Sequence, residues 1–460
     1  MAHVQVVETS SLGDRSYLAH DGRVALVVDP QRDIDRFLAL AGRLDVRITH
    51  VAETHLHNDY VSGGLALAKA TGAAYLISAD ENVEFDRTAI ADGDEIAISD
   101  GLRIRAVATP GHTFHHVSYV LSGPGGPEGV FTGGSLLFGT TGRTDLLGAE
   151  HAHLLAERQH ASARRLADLL PDGAHVWPTH GFGSFCSASQ SDAASSTIGQ
   201  ERRANPALRL EADDFVTQTL DGLDAYPAYY AHMGVRNSAG ADLLDLTPAR
   251  TADPAELRDR IAAGEWVVDL RSRKAFAQRH LVSTLSFGLD GAMSTWLGWL
   301  APWGAPSPCS ATAPSRSPPP SGSWRASAST ARPRPPPGSP SSGRRRRLPA
   351  AGDARRDVHR PGRRPLRPRP PAPAAPDAVL DVRMTNEWRD GHVEGAVHIP
   401  LPELADRLDE LPDGTVWVHC GSGYRAAVAT SLLQRAGRRT VHIDDAYSEA
   451  ALTGLAITDR

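Results

Sequence analysis

The chain has 460 residues and a formal net charge of −6, enough for about three domains at roughly 100–200 residues each, so a single small module is excluded. Hydrophobic residues make up 41 % and charged residues 22 %. No apolar run approaches the roughly 18 residues that a membrane span needs, and residues 1–13 lack a signal-peptide pattern, so a soluble cytoplasmic protein with no membrane partner is expected. From residue 4 to about 181, short apolar runs alternate with helical stretches. VALVVDP (24–30), ITHVAET (48–54), AAYLIS (73–78), IRAVATP (104–110), GVFTGG (129–134) and HVWPTH (175–180) read as strands. Residues 33–44 and 153–170 read as amphipathic helices. Four of the strand runs end in loops carrying His, Asp or a Gly pair, the arrangement of an α/β or α+β metalloenzyme.

Residues 186–250 are mixed and polar and read as helical covering and linker. A second α/β pattern occupies 251–303, with VVDLR (267–271) as its first strand, and breaks off abruptly. A third occupies 377–460: VLDVR, a helix at 385–390, AVHIP, a helix at 403–410, VWVHC, a helix from Arg425, and TVHID. Residues 304–376 fit neither flank. They hold 19 of the 33 prolines, 15 Arg and only two acids, Asp353 and Asp357, a local charge of +13 that leaves −19 on the rest. So little apolar surface cannot offset the entropy of ordering, and a disordered segment is expected. A basic binding arm around residues 344–347 is an alternative. A pair of compensating frameshifts in GC-rich DNA fits its Pro, Ala, Gly, Arg and Ser composition better. The acidic remainder argues against nucleic acid as a partner.

Thirteen of the 20 histidines fall in the first 180 residues. In Thr54-His55-Leu56-His57-Asn58-Asp59-Tyr60, directly after a strand, alternate residues share a face, so His55 and His57 can converge on one ion with Asp59 beside them. Pro110-Gly111-His112 and Pro178-Thr179-His180-Gly181 close two other strands and add His112 and His180. His115 and His116 are explained as loop or helix surface and are not expected to be ligands.

THLHNDY, TPGHT, FTGGSLLFGTTGRTDL and PTHG, in this order over residues 1–185, resemble the metallo-β-lactamase fold and its persulfide dioxygenase and glyoxalase II branch. The resemblance implies a four-layer αββα sandwich with its metal at one sheet edge. Persulfide dioxygenases hold one iron by two His and one Asp; glyoxalase II relatives activate water with two metals. Two departures matter: Tyr60 stands where the family has a histidine, and Gly134 where it has a metal-binding Asp. By the match, His55 and His112 are the iron-binding histidines. His57 can complete a three-histidine site, while Asp59 and His180 remain of the second site. One Fe or Zn on His55, His57 and His112, or a site that has lost its metal, both stay open. Arg143 and Asp145 match the family motif beside the site, Arg143 as a substrate contact or as half of a structural ion pair.

Cys186, Cys309 and Cys420 are too widely spaced for a disulfide framework or a Cys-x-x-Cys zinc site, so a thiol that matters works alone. Cys420 closes the strand VWV and opens the loop Cys420-Gly421-Ser422-Gly423-Tyr424-Arg425 before a helix. A helix N-terminus aims backbone N–H groups and a positive dipole end at the sulfur, as a reactive thiol requires. DVR (381–383), EWRDGHVEGAVHIP (387–400) and this CxxxxR loop resemble a rhodanese domain. The resemblance implies that Cys420 accepts a sulfane sulfur, cradled by Gly421, Ser422, Gly423 and Tyr424, with Arg425 orienting the anion. Asp444-Asp445-Ala446 replaces the family's closing Gly pair, a change at the acceptor's docking place. VVDLRSRKAFAQRHL (267–281) resembles the front half of another rhodanese domain, so 251–303 reads as a partial copy. Cys309 is expected to be inert and Cys186 to be a wall residue.

The expected fold is thus an αββα metallo-β-lactamase sandwich followed by rhodanese-like α/β domains. The expected function is a sulfur-metabolism enzyme joining a metal-dependent persulfide-processing domain to a rhodanese sulfurtransferase. Its expected partners are a low-molecular-weight thiol persulfide, thiosulfate or sulfite, and a second copy of the chain. A glyoxalase II-type thioester hydrolase and a non-catalytic sulfur-responsive regulator are the alternatives.

Overall fold

A computed structural model of the protein describes residues 2–10, 12–181, 183–189, 191, 193–241, 253–304, 309–310 and 375–458. Nearly all of the Pro/Arg-rich segment 304–376, with the disorder, binding-arm and frameshift readings attached to it, lies outside the described residues.

The first sheet orders six strands as β1 (His3–Thr9), β2 (Asp14–His20), β3 (Val24–Val28), β4 (Arg47–Ala52), β5 (Ala74–Ser78) and β6 (Thr88–Ile90), with α1 (Asp35–Leu44) and α2 (Gly64–Thr71) among them. The second orders β7 (Glu95–Ser99), β8 (Leu102–Ala108), β9 (Val117–Gly123), β10 (Gly126–Gly133), β11 (His175–Pro178) and β12 (Ser196–Thr197), with α3 (Ala152–Leu169) between β10 and β11. Tyr17, Leu26, Val28 and Leu76 of one sheet meet Ile104, Tyr119, Leu121 and Phe131 of the other in a shared core. The outer face of the first sheet is covered by Phe37 and Leu67 on α1 and α2. The outer face of the second is covered by Ala156, Ala163 and Leu166 on α3. That apolar stripe repeats every three to four residues, which is why 152–169 is a helix. Four αββα layers result. All six strands read from apolar runs are present. The other six strands, β1, β2, β6, β7, β9 and β12, are additional; β1 is mostly exposed and β2 buries Asp14, Ser16 and His20, so neither shows simple alternation.

Residues 198–239 form α4 (Ile198–Ala204), α5 (Pro206–Arg209), α6 (Ala212–Asp221) and α7 (Tyr230–Ala239), and Phe215 and Val216 of α6 pack on the α3 side. Beyond them come α8 (Pro254–Ala262), β13 (Val268–Asp269), α9 (Arg273–Gln278), β14 (Leu285–Ser286), α10 (Met293–Leu300) and β15 (Cys309–Ser310), a small parallel sheet in the order β14-β13-β15. The C-terminal part contains β16 (Ala378–Asp381), α11 (Thr385–Arg389), β17 (His392–Val393), β18 (Val397–His398), β19 (Thr415–His419), α12 (Tyr424–Arg435), β20 (Arg439–His442) and β21 (Ile457–Thr458). Its main sheet is parallel, in the order β18-β16-β19-β20.

Residues 254–300 do not form a core of their own. Val268, Phe287, Trp296 and Trp299 lie in one apolar cluster with Leu380, Val418, Val428 and Leu433. Phe185 of the metal-side domain joins it edge-on, 4.5 Å from the Trp299 ring. The helix expected at 403–410 is instead two short 3-10 turns, Leu401–Glu403 and Leu408–Glu410. Between them Arg407 leaves helical backbone at φ −121, ψ 23, while Leu401, Leu404 and Leu411 still reach the core.

Candidate metal centre and sulfur-transfer loop

His55, His57, Asp59, His112 and His180 all lie on loops that leave strands at one edge of the sandwich, and all are buried. The rings of His55, His112 and His180 lie 4.8–5.6 Å apart, and their ligand atoms fall within 4.8 Å of one another. His57, Asp59 and His180 form a second grouping, and Asp29, Glu53 and His57 a third.

Hydrogen bonds fix which ring nitrogen is free. His112 Nδ1 donates to the Arg143 carbonyl at 2.8 Å. His55 Nδ1 lies 2.9 Å from Thr54 Oγ1, whose own hydrogen goes to Asp29 Oδ2. His180 Nδ1 lies 3.0 Å from Asp14 Oδ1 and 3.3 Å from Asp59 Oδ2. In each ring Nε2 is left buried with no partner, and His57 Nδ1 is orphaned likewise. Orphaned buried nitrogens facing one point are costly unless a cation takes them. His57 Nε2 lies 3.1 Å from Glu53 Oε2, 3.4 Å from Asp29 Oδ1 and 3.0 Å from the Tyr60 hydroxyl.

Burial, then the neighbouring imidazoles, hold His55 and His112 well below the usual histidine range, in the neutral form that binds metal. Burial opposes charge on His57 too, but Asp29 and Glu53 outweigh it and push that ring well up. At His180 the same contest, decided by Asp59 and Asp14, lifts the ring to about 9. Asp14, Asp29 and Glu53 are acids that no sequence motif marked. Each sits at a strand end, Asp29 with φ +50, where it takes both the amide and the hydroxyl of Thr54 and the Thr179 hydroxyl.

His115 is exposed, but His116 is not the surface residue expected: its Nδ1 meets Thr109 Oγ1 at 2.8 Å and its Nε2 accepts the Gly134 amide at 3.1 Å. Arg143 is buried, donating through Nε and Nη2 to the two carboxylate oxygens of Asp145 at 2.7 and 2.8 Å and through Nη1 and Nη2 to the Phe185 and Asp224 carbonyls. Its guanidinium is therefore occupied as a strut. Cys186 is fully buried, and burial followed by Asp59 and Asp14 pushes its thiol well up, which keeps it a wall residue rather than a thiolate.

In the C-terminal part, Cys420 follows β19 and its Sγ accepts the amides of Gly423 at 3.2 Å and Ala426 at 3.4 Å. Gly423 caps α12 with φ +87, a conformation few other residues tolerate. Arg425 is held in a two-point pair with Glu387 at 2.5 and 2.7 Å. Gly421 lies under that guanidinium. The Tyr424 side chain ties the loop to the segment between β14 and α10, its hydroxyl donating to the Gly288 carbonyl at 2.9 Å. Asp444, at the place of the family's closing Gly pair, binds Arg273 of α9 at 2.6 Å, and Arg273 Nη2 reaches the Ser422 carbonyl at 3.5 Å. A cavity of about 650 Å³ is lined by Arg143 and Phe185 on one side and by Trp296, Asn386, Glu387 and Arg425 on the other. The metal-side domain and the sulfur-transfer loop therefore share a wall.

The metallo-beta-lactamase superfamily pattern matches residues 14–180 and the rhodanese-like domain pattern residues 371–451. The bovine (Bos taurus) mitochondrial persulfide dioxygenase ETHE1 is 30 % identical over 218 residues, 47 % of this chain and 76 % of that protein. The chain belongs to the metallo-beta-lactamase superfamily. Within it, a hydroxyacylglutathione hydrolase of Albidiferax ferrireducens is 28 % identical over 233 residues, 45 % of this chain and 87 % of that protein. A solved metallo-beta-lactamase from Staphylococcus aureus superposes with a TM-score of 0.59 at 26 % identity, covering 67 % of this chain and 91 % of that one. Superfamily membership agrees with the paired six-stranded sheets, and the rhodanese-like match brackets the Cys420 loop. Among the described residues no helix is long and apolar enough to cross a membrane.

Proposed function

We propose that this protein is an enzyme of sulfur metabolism in which a rhodanese-type sulfurtransferase centre at Cys420 works beside a metal-dependent, persulfide-processing domain. The observation that carries the reading is the pair of amides on Cys420 Sγ, in a loop that the rhodanese-like match encloses. The Cys420 thiolate attacks the outer sulfur of a sulfane donor such as thiosulfate; the donor's S–S bond breaks, sulfite leaves with the bonding pair, and a cysteine persulfide forms. A second thiolate, from a low-molecular-weight carrier of the glutathione kind, then attacks the terminal sulfur and regenerates Cys420. The amides of Gly423 and Ala426 stabilise negative charge on sulfur at each stage, and Arg425, fixed by Glu387, orients the incoming anion.

On the metal side, the buried histidines would hold an iron or zinc ion, which would supply a Lewis-acidic position for a sulfur anion. His55 and His112 offer neutral Nε2 donors already oriented by Thr54 and the Arg143 carbonyl. The relatives named as persulfide dioxygenases support this reading over thioester hydrolysis. The hydrolase alternative draws on relatives such as the Albidiferax protein, but the two-metal chemistry of that branch is disfavoured by Tyr60, which stands where the family has a histidine. The cavity between Arg143 and Arg425 supports coupling of the two centres.

The decisive experiment is thiosulfate:cyanide sulfurtransfer by the full chain. Cys420→Ser abolishes it, because an alkoxide is far less accessible than a thiolate near neutral pH, while Cys186→Ser and Cys309→Ser retain it. Sulfurtransfer that survives Cys420→Ser overturns the reading.

A further inference from the structure

The persulfide dioxygenase resemblance implies an iron held by two histidines and one carboxylate, and the residues present do not fit that set. Residue 134 is glycine, and its place is not open space. A Cβ there would fall onto Cδ2 and Cγ of the His112 ring and within 2.8 Å of its Nε2. The ring cannot readily give way. Its Nδ1 is held by the Arg143 carbonyl, and Gly142 lies so close beneath it that a Cβ at 142 would come 2.6 Å from Nδ1. Gly134 itself is pinned, its amide by His116 and its carbonyl by Gln159 Nε2 at 2.8 Å. The imidazole of His112 thus fills the room that a carboxylate at 134 would take.

What converges instead is nitrogen. His55, His112 and His180 each leave Nε2 buried and unpaired, with Nδ1 held by Thr54, the Arg143 carbonyl and Asp14 respectively. We infer that this chain carries an all-imidazole metal site formed by His55, His112 and His180, in which His180, braced by Asp14, supplies the third ligand in place of a carboxylate. Three imidazole donors leave a divalent ion its full double charge, where a carboxylate would cancel half. Such a site binds an anionic sulfur ligand more strongly and, through nitrogen donors, favours cobalt, zinc and their neighbours over oxygen-preferring ions. His57 stands outside this set: its Nε2 is engaged by Glu53, and it groups with Asp59 and His180 rather than with His55 and His112.

The inference rests on the reading that the metal-side domain binds an ion, and the test separates the two. Full-length protein stripped with chelator is titrated with cobalt(II), followed by its visible absorption, with thermal unfolding of the metal-free forms as the check on folding. Wild type takes up one cobalt per chain. His180→Ala weakens uptake at least about 100-fold, and Asp14→Asn, which removes only the brace, weakens it about 10–100-fold. His57→Ala stays within about threefold of wild type. Gly134→Asp neither tightens binding nor rescues His180→Ala, and it lowers the unfolding temperature. Failure of wild type to bind cobalt, zinc or iron(II) overturns the metal reading and the inference with it. Binding that survives His180→Ala, that is lost in His57→Ala alone, or that Gly134→Asp restores overturns the ligand set while leaving the metal reading standing.

Discussion

The side chain of His112 and the backbone of Arg143 are joined by a 2.8 Å hydrogen bond, from the imidazole Nδ1 to the carbonyl oxygen, so the orientation of a candidate metal ligand depends on how the chain is held at residue 143. That chain is held by the arginine's own side chain, which Asp145 and the carbonyls of Phe185 and Asp224 lock in place.

Arg143→Ala is therefore expected to act twice. It leaves Asp145 without its partner and two carbonyls short of a donor in a largely buried setting, a loss of about 3 kcal/mol. It also loosens the carbonyl that aims His112, so the purified variant carries less metal. Arg143→Lys recovers little, because an ammonium cannot grip a carboxylate at two points and reach two carbonyls together. Thermal unfolding and metal analysis of the three proteins check this; a variant with wild-type metal content and stability contradicts it.

These relationships also mark how far the sequence could be read. THLHNDY, TPGH and PTHG were legible because each closes an apolar strand, so residue type and spatial position coincide over a few neighbouring residues. Asp14 and Glu53 were not, because a lone acid at a strand end looks the same whether it faces solvent or supports a buried histidine. The grouping of His112 with His180 rather than His57 depends on ring orientations set from residues 14, 54 and 143. In the C-terminal part the loop was legible as one uninterrupted motif. The roles of Tyr424 and Asp444 were not, since their partners Gly288 and Arg273 lie more than 130 residues upstream.

Gly423 provides a sharp check on the loop. Its φ of +87 and the backbone of Asp444 3.1 Å from where a Cβ would sit both oppose any side chain. Gly423→Ala is expected to cost about 1–2 kcal/mol and to pull the residue-423 amide off Cys420 Sγ. Sulfurtransfer should fall at least about tenfold, the equivalent of 1.4 kcal/mol in the barrier. Wild-type turnover in Gly423→Ala would show that this amide is dispensable.

The contact between Arg273 and Asp444 predicts that α9 supports the active loop. Both side chains are about one-quarter exposed or less, so the ion pair itself is worth only about 0.5–1 kcal/mol. Asp444→Ala should lower the unfolding temperature slightly while reducing sulfurtransfer about two- to fivefold, an effect on the loop larger than that on global stability. Arg273→Ala should match it, and the double variant should be no worse than either single one, because both remove the same contact. Additive losses in the double variant would show that the two residues act separately.

Glu387 gives a pH dependence of defined sign. Burial raises its pKa, but the two-point pair with Arg425 outweighs burial and holds the carboxyl below its ordinary value of 4.5. A carboxyl depressed in the folded state stabilises it above the unfolded pKa and loses that contribution as pH falls through the folded one. The carboxylate is about one-third exposed, so after solvent screening the pair is worth about 1 kcal/mol. Glu387→Gln should therefore unfold at a lower temperature than wild type at pH 7, and the difference should shrink steadily below pH 4.5 as wild-type Glu387 takes up its proton. The same variant frees Arg425 from its fixed direction, so the KM for thiosulfate should rise more than kcat falls. A stability gap that persists unchanged to pH 3, or a loss confined to kcat, would show that Glu387 neither titrates against Arg425 nor positions it.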